Sequence, residues 1–291
     1  MSPEYHGNVD FKEVVHVEEM VMKCASVLEE IQKLQLPSHL MVVPEAWGFG
    51  TDGLDDARRQ YQVYLFVGEK SNPDSNHYAR PLAFSPVVDP VEMHLIRIDR
   101  IPTGEDWQTE EVSPWRYVPP NEYVPENADL RKDLKPLQVV QPAGPSYTLT
   151  SDNVITWQKW HARIGFNYRE GIVLRDIRYD GRPIFYRISL SEMTVPYADP
   201  RSPYHRKQAF DLGDVGAGLV SNNLKLGCDC LGSITYLDGL LVSPEGDLVV
   251  KENVVCIHEQ DNGIGWKHSN YRTDRKSGGA PLHRILCTSQ G

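Results

Sequence analysis

Apolar residues recur at helical spacing over residues 11–35. Val14, Val15, Met20, Met22, Val27, Leu28 and Ile31 are set among acids and lysines, and Leu36-Pro37 closes the run. This pattern predicts one amphipathic helix, stopped by a proline that cannot extend it. The period then changes to two. Residues 39–47 (HLMVVPEAW), 59–69 (RQYQVYLFVGE) and 92–101 (EMHLIRIDRI) alternate aromatic or β-branched residues with polar ones, as half-buried strands do. A helix followed by three or four strands predicts a small N-terminal α+β domain over 11–101. Residues 102–145 are rich in Pro and acids and hold no period, so an extended connection is expected, packed along a surface by Trp107, Trp115 and Tyr117. From 146 to 291 short apolar runs are separated by Gly, Asp or Pro, which predicts a partial, mainly antiparallel β-sandwich. Within it Tyr179-Asp180-Gly181 is a hairpin signal, because Asp-Gly tolerates the positive φ that tight turns need.

Composition narrows the partners. The chain has 291 residues, enough for two domains, with 40% hydrophobic and 24% charged residues. A formal charge of −10 argues against nucleic acid and anionic membranes, since both are met by basic surfaces, and suits cationic small molecules better. No run approaches the roughly 18 apolar residues of a membrane span. The start MSPEYHGNVDFKEV lacks the charged-then-apolar order of a signal peptide. A soluble protein of the cytoplasm or peroxisome is the expectation. Five cysteines, at 24, 228, 230, 256 and 287, are too few and scattered for a disulfide scaffold and suggest a reducing compartment with at most one bridge.

Candidate chemistry concentrates in residues 196–236. Asp211, between Phe210 and Leu212, reads either as a buried carboxylate with a raised pKa, fit to act as a general base, or as a turn cap before Gly213. Gly213, Gly216 and Gly218 run in the reverse order of a dinucleotide fingerprint and outside any strand-turn-helix context, so a tightly turned backbone explains them. Cys228-Asp229-Cys230 has one residue between thiols, against two or more in zinc knuckles. His258-Glu259 fails as a zincin start because position 262 is Asn; His258 and His268 are expected to be hydrogen-bonded structural imidazoles.

The phrases at 157–200 (WQKWHARIGFNYREGIVLRDIRYDGRPIFYRISLSEMTVPYADP), 209–218 (AFDLGDVGAG), 226–239 (LGCDCLGSITYLDG) and 256–268 (CIHEQDNGIGWKH) closely resemble the copper amine oxidases in order and spacing. The likeness extends more weakly to VVPEAWGFG (42–50) and the helix before it. It implies oxidation of a primary amine by dioxygen and water to aldehyde, ammonia and hydrogen peroxide, with copper and a topaquinone as cofactors and a homodimer as the complete assembly. It implies that Asp211 is the base taking the α-proton from the substrate Schiff base and that Tyr197, fourteen residues earlier, hydrogen-bonds and orients the quinone. Ala209 and Val215 then fall at the substrate entrance, where a small residue at 209 widens the way in. Cys230 and Cys256 match the family's disulfide pair, and Cys228 its unpaired neighbour.

The departures are equally plain. The family makes its quinone from a tyrosine in an Asn-Tyr-acid motif, but here Asn270-Tyr271 is followed by Arg272 and lies early. The ten histidines contain no His-x-His pair. The expectation is a truncated chain that carries the base but neither quinone nor copper. Two alternatives stand beside it: a non-catalytic pseudoenzyme or assembly module of the same family, and an unrelated β-sandwich binding module in which Asp211 caps a turn. Which primary amine is oxidised is left open.

Overall fold

The computed structural model describes residues 7–50, 58–227, 229–243, 246–266, 272 and 281–288; the side chains of Gln208, Asp211, Pro281, Leu282, His283 and Thr288 lie outside that description. The chain forms two compact units. One comprises Met1–Leu134 with Met193–Asp214, the other Lys135–Glu192 with Val215–Gly291. Residues 193–214 therefore leave the sandwich segment in which the sequence reading placed them and fold with the first unit.

The first unit opens with helices α1 (Phe11–Val21) and α2 (Ala25–Lys33), followed by strands β1 (Leu40–Gly48), β2 (Tyr61–Glu69), β3 (Phe84–Asp89) and β4 (His94–Arg100). The single helix expected over 11–35 is thus two. Asp10 caps the first by accepting from the amides of Lys12 and Glu13, and Cys24 turns extended at ψ 125° before the second. The break has a packing reason. In one continuous helix Val21 and Val27 would point about 120° apart, whereas the bend buries both, with Val17 and Leu34, against the sheet. Strand β3 contains Pro86, which hid it from a propensity reading.

The four strands form an antiparallel sheet in the order β1-β2-β3-β4. Central β2 is buried on both faces. Tyr61, Val63, Leu65 and Val67 meet the helices, each burial stabilising by roughly 1.5–3 kcal/mol. Tyr64 and Phe66 face the other way and form a second cluster with Ile101, Trp47 and Tyr204. Because Glu45 pairs with Tyr64 and Trp47 with Gln62 in register, Glu45 and Trp47 share that second face.

The second unit begins with β5 (Tyr147–Leu149), β6 (Val154–Trp157), β7 (Trp160–Asn167), β8 (Gly171–Tyr179) and β9 (Arg182–Ile188), an antiparallel meander. Its β8–β9 turn is the expected Asp180-Gly181 pair, at φ 52° and 76°. The chain then returns to the first unit for β10 (Thr194–Pro196), β11 (Gln208–Phe210) and the one-turn helix α3 (Asp211–Asp214), before the second unit's three-stranded sheet β12 (Thr235–Val242), β13 (Leu248–Ile264) and β14 (Pro281–Thr288). Tyr147, Ile155 and Ile164 of the first of this unit's sheets share a core with Val254, Val255 and Ile257 of the second, which makes the unit a sandwich.

Two glycines of the 213–218 run explain themselves here. A Cβ on Gly216, at φ 99°, would stand 2.6 Å from the Tyr168 carbonyl oxygen, and one on Gly218 would stand 2.0 Å from that of Asn167. The amides of Ala217 and Leu219 donate to the Arg169 and Tyr168 carbonyls, so this segment is laid against the β7–β8 turn as backbone on backbone.

Candidate functional site

The expected site residues begin on the ribbon β10–β11. Its register pairs Thr194 with Phe210, Val195 with Ala209 and Pro196 with Gln208. One step beyond the last pair, Tyr197 stands opposite Lys207. The loop between them is tied down by Asp199, which accepts from the Arg201 amide at 3.0 Å and its guanidinium at 2.7 Å. The Arg201 hydrogen bonds hold the Asp199 carboxyl below its ordinary range, against the opposing effect of burial. Arg201 also donates to the Asp106 carbonyl at 2.9 Å, and its guanidinium lies 5.4 Å from the Tyr204 ring centre. Tyr204 stacks on Tyr64 at 5.7 Å and donates to the Pro102 carbonyl at 2.8 Å.

Below the ribbon is an aromatic floor. Trp47 meets Tyr197 edge to face, with ring centres 5.4 Å apart. The Lys207 ammonium lies 4.2 Å from the Trp47 ring centre, 4.6 Å from that of Tyr197 and 5.0 Å from that of Tyr64. Burial pushes the Lys207 amine below the ordinary lysine value, while the Glu45 charge works in the opposite direction. Glu45 is itself engaged by His77 Nε2 at 3.1 Å. Burial raises the Tyr64 phenol, with the neighbouring Tyr204, Asp199 and Asp99 adding to the rise.

Strand β11 runs straight into Asp211 at the start of α3. The Asp211 side chain lies outside the described residues, as do Cys228 and His268. Nearby, Leu212 is buried, and Asp214 accepts from the Phe210 amide at 3.0 Å and the Val9 amide at 3.2 Å. The backbone of this turn is therefore held by Asp214. Tyr197 and Ala209 are brought onto one ribbon with the Asp211 backbone. Val215 begins the second unit, where it is half-buried.

In the second unit Cys230 and Cys256 form a disulfide, with Cα atoms 7.1 Å apart, as the family resemblance implied. His258 is buried and its Nδ1 lies 2.8 Å from the Leu231 carbonyl oxygen, the structural role expected of it. Glu259 was read only as a failed metal motif. It is buried and takes three donors: the Ser146 amide at 2.7 Å, Gln141 Nε2 at 2.7 Å and Trp157 Nε1 at 2.8 Å. Burial tends to raise its pKa, but these hydrogen bonds outweigh that and hold it below the ordinary glutamate value.

Lys207, Trp47, Tyr64 and Glu259 were all missed in the sequence. A signal existed only for Lys207, which stands ten residues after Tyr197 and just before the strand that leads into Asp211; the others come from distant segments.

The described residues do not fit a copper centre. Of their two clusters with three possible ligands, Cys230, Cys256 and His258 has both sulfurs bound to each other, and Asp89, Glu92 and His94 offers one imidazole where copper(II) favours several. Among the described residues, no helix is long and apolar enough to cross a membrane.

Residues 12–110 match the family model described as copper amine oxidase, N3 domain, and residues 148–288 that of the copper amine oxidase enzyme domain. Copper amine oxidase 1 of Aspergillus niger is 45% identical over 282 residues, covering 94% of this chain and 42% of that protein. The peroxisomal primary amine oxidase of Pichia angusta is 39% identical over 269 residues, 90% of this chain and 38% of that one. The crystal structure of a copper-containing benzylamine oxidase from Hansenula polymorpha is similar at a TM-score of 0.81 and 42% identity, covering 99% of this chain and 44% of that chain. The chain thus spans less than half the length of these relatives.

Proposed function

Because this chain belongs to the copper amine oxidase family, we propose that it carries the proton-accepting segment of a primary-amine oxidase, with Asp211 as the base and Tyr197 as the group that orients the reacting centre. The family's copper and topaquinone supply the oxidising chemistry in its complete enzymes. Since the described residues do not fit the metal, the chemistry assigned to this chain is that of its own side chains. Asp211 would accept the proton from the carbon bearing the amine nitrogen in the complete enzyme, where the family's quinone would supply the acidity of that carbon; a positioned carboxylate accelerates such a transfer by about 10²–10⁴. Tyr197 offers a phenol hydroxyl as a hydrogen-bond partner next to that carbon. Ala209, with its single methyl group, leaves the approach open. The substrate is a primary amine, with dioxygen as the electron acceptor.

The observation that carries this reading is the β10–β11 register. Tyr197 follows the last residue of β10 and Asp211 the last residue of β11, so one ribbon carries both family positions, fourteen residues apart, at its opposite ends. The acidic formal charge of −10 favours approach of a cationic amine. The test is amine-dependent hydrogen peroxide production by the intact protein and its Asp211→Asn variant. A fall of at least about 10² in kcat supports the assignment. Turnover at the parent rate removes Asp211 as the base. An intact protein that makes no peroxide from any primary amine supports the pseudoenzyme reading.

A further inference from the structure

Resting on that reading of Tyr197, we propose that Lys207 is a positioning residue: its ammonium clamps the Tyr197 ring in one orientation by standing against the faces of Trp47, Tyr64 and Tyr197 together. Neither the resemblance nor the comparisons assign this residue a role.

The argument begins with exposure. Tyr197 is 46% exposed, and it is followed by Ala198 in the left-handed region at φ 59°. A ring so exposed depends on the packing of its covered part. The Trp47 edge supplies part of that packing, but an edge contact between two aromatic rings tolerates sliding. The Lys207 ammonium is different, because it touches both members of the pair at once, 4.2 Å from Trp47 and 4.6 Å from Tyr197, and is backed by Tyr64 at 5.0 Å. All three distances lie within the range where a cation is drawn to the negative face of a ring. To slide, Tyr197 must leave a cation held by two other rings.

The charge has few other partners. Among the described residues, no hydrogen bond or ion pair is made by the Lys207 ammonium. Its nearest counter-charge is Glu45, which acts at longer range and is bonded to His77. The other titratable groups around this floor include Tyr78, which is drawn to Glu45, together with Tyr204, Asp199 and Asp99. The clamp is consequently electrostatic contact with π faces rather than a directional hydrogen bond. A compact ammonium can meet three rings at once; a planar guanidinium is wider and stacks on one at a time. The ribbon fixes the geometry, since Lys207 is the cross-strand neighbour of Tyr197 just past the Pro196–Gln208 pair.

The test uses the 291-residue chain labelled with 3-fluorotyrosine, the Tyr197 fluorine signal being assigned by its loss in Tyr197→Phe. In the parent that signal should be displaced from the position of an exposed tyrosine. In Lys207→Met it should move toward the exposed value and narrow as the ring gains freedom. In Lys207→Arg it should recover in part. The buried Tyr61 signal should stay fixed in every variant, showing that the first unit remains folded. An unchanged Tyr197 signal in a folded Lys207→Met overturns the proposal.

Should Lys207→Met fail to fold, the parent alone decides. With 5-fluorotryptophan at Trp47, the Trp47 signal should shift along the alkaline titration of the Lys207 ammonium, followed separately by its own nitrogen resonance. A Trp47 signal indifferent to that titration also overturns the proposal. These readouts require no amine oxidation, so they are independent of the Asp211 assignment. In a turning-over protein, Lys207→Met should lower kcat about ten-fold with little change in KM, and Lys207→Arg should restore part of it. A loss of kcat with the Tyr197 signal unmoved would point to a role other than positioning.

Discussion

Two charges, half-buried Lys207 in the first unit and buried Glu259 in the second, are solvated in opposite ways. In the second unit Glu259 is surrounded by three N–H donors, from Ser146, Gln141 and Trp157, which favour its ionised form. In the first unit Lys207 is surrounded by the faces of Trp47, Tyr64 and Tyr197, while its desolvation pushes it toward the neutral form. Glu259 joins segments more than a hundred residues apart and is a structural charge. Lys207 is held at a cost and adjoins residues assigned to chemistry. Strongly satisfied buried charges support a fold, whereas weakly satisfied ones mark places where a fold has given up stability for something else.

The largest effect expected on this contrast comes from the bridge beside Glu259 on β13. Replacing both Cys230 and Cys256 by Ser should cost the second unit about 3 kcal/mol, read as a lower urea midpoint. An unchanged midpoint would mean that the hydrogen bonds around Glu259 hold this region without the bridge. Next, Glu259→Ala should cost about 2–3 kcal/mol because three buried donors lose their acceptor. Combining it with Trp157→Phe should cost less than the sum of the two singles, since one of those donors is then gone. Full additivity would deny the network.

The acid limb sharpens the same point. Glu259 titrates lower in the folded chain than its ordinary value of 4.5, so the unfolded chain binds the proton more readily. Its stabilisation is present above about pH 4.5 and is lost as the pH falls through the lower folded value. Glu259→Gln should flatten this part of the stability profile, as measured by denaturant midpoints across the acid range. For Lys207 the folded value is again the lower, here relative to 10.5, so stability should rise with pH in the alkaline range below that value. The smallest effect is that of Lys207→Met, which should change the melting free energy by less than about 1 kcal/mol, because removing a poorly solvated charge offsets the lost ring contacts. A loss as large as that of Glu259→Ala would show Lys207 to be structural and erase the contrast.

Much of this was legible in the chain itself. The alternation in RQYQVYLFVGE yields β2, Asp180-Gly181 yields its hairpin, and the ordered phrases around Tyr197, Asp211, Cys230 and Cys256 identify the family. These are local signals, carried by neighbouring residues through backbone conformation and spacing. Other features were settled only in three dimensions. The break between α1 and α2 follows no helix breaker in the sequence; it arises because Val21 and Val27 must reach one sheet. Strand β3 forms despite Pro86 because β2 and β4 flank it. Residues 193–214 join the first unit because Tyr204 stacks on Tyr64 and Lys207 finds Trp47, contacts made across more than a hundred residues of chain. The state of a buried charge depends on which groups replace its water. For both Lys207 and Glu259 those groups come mainly from distant segments of the chain, so their roles were decided by tertiary structure and not by sequence.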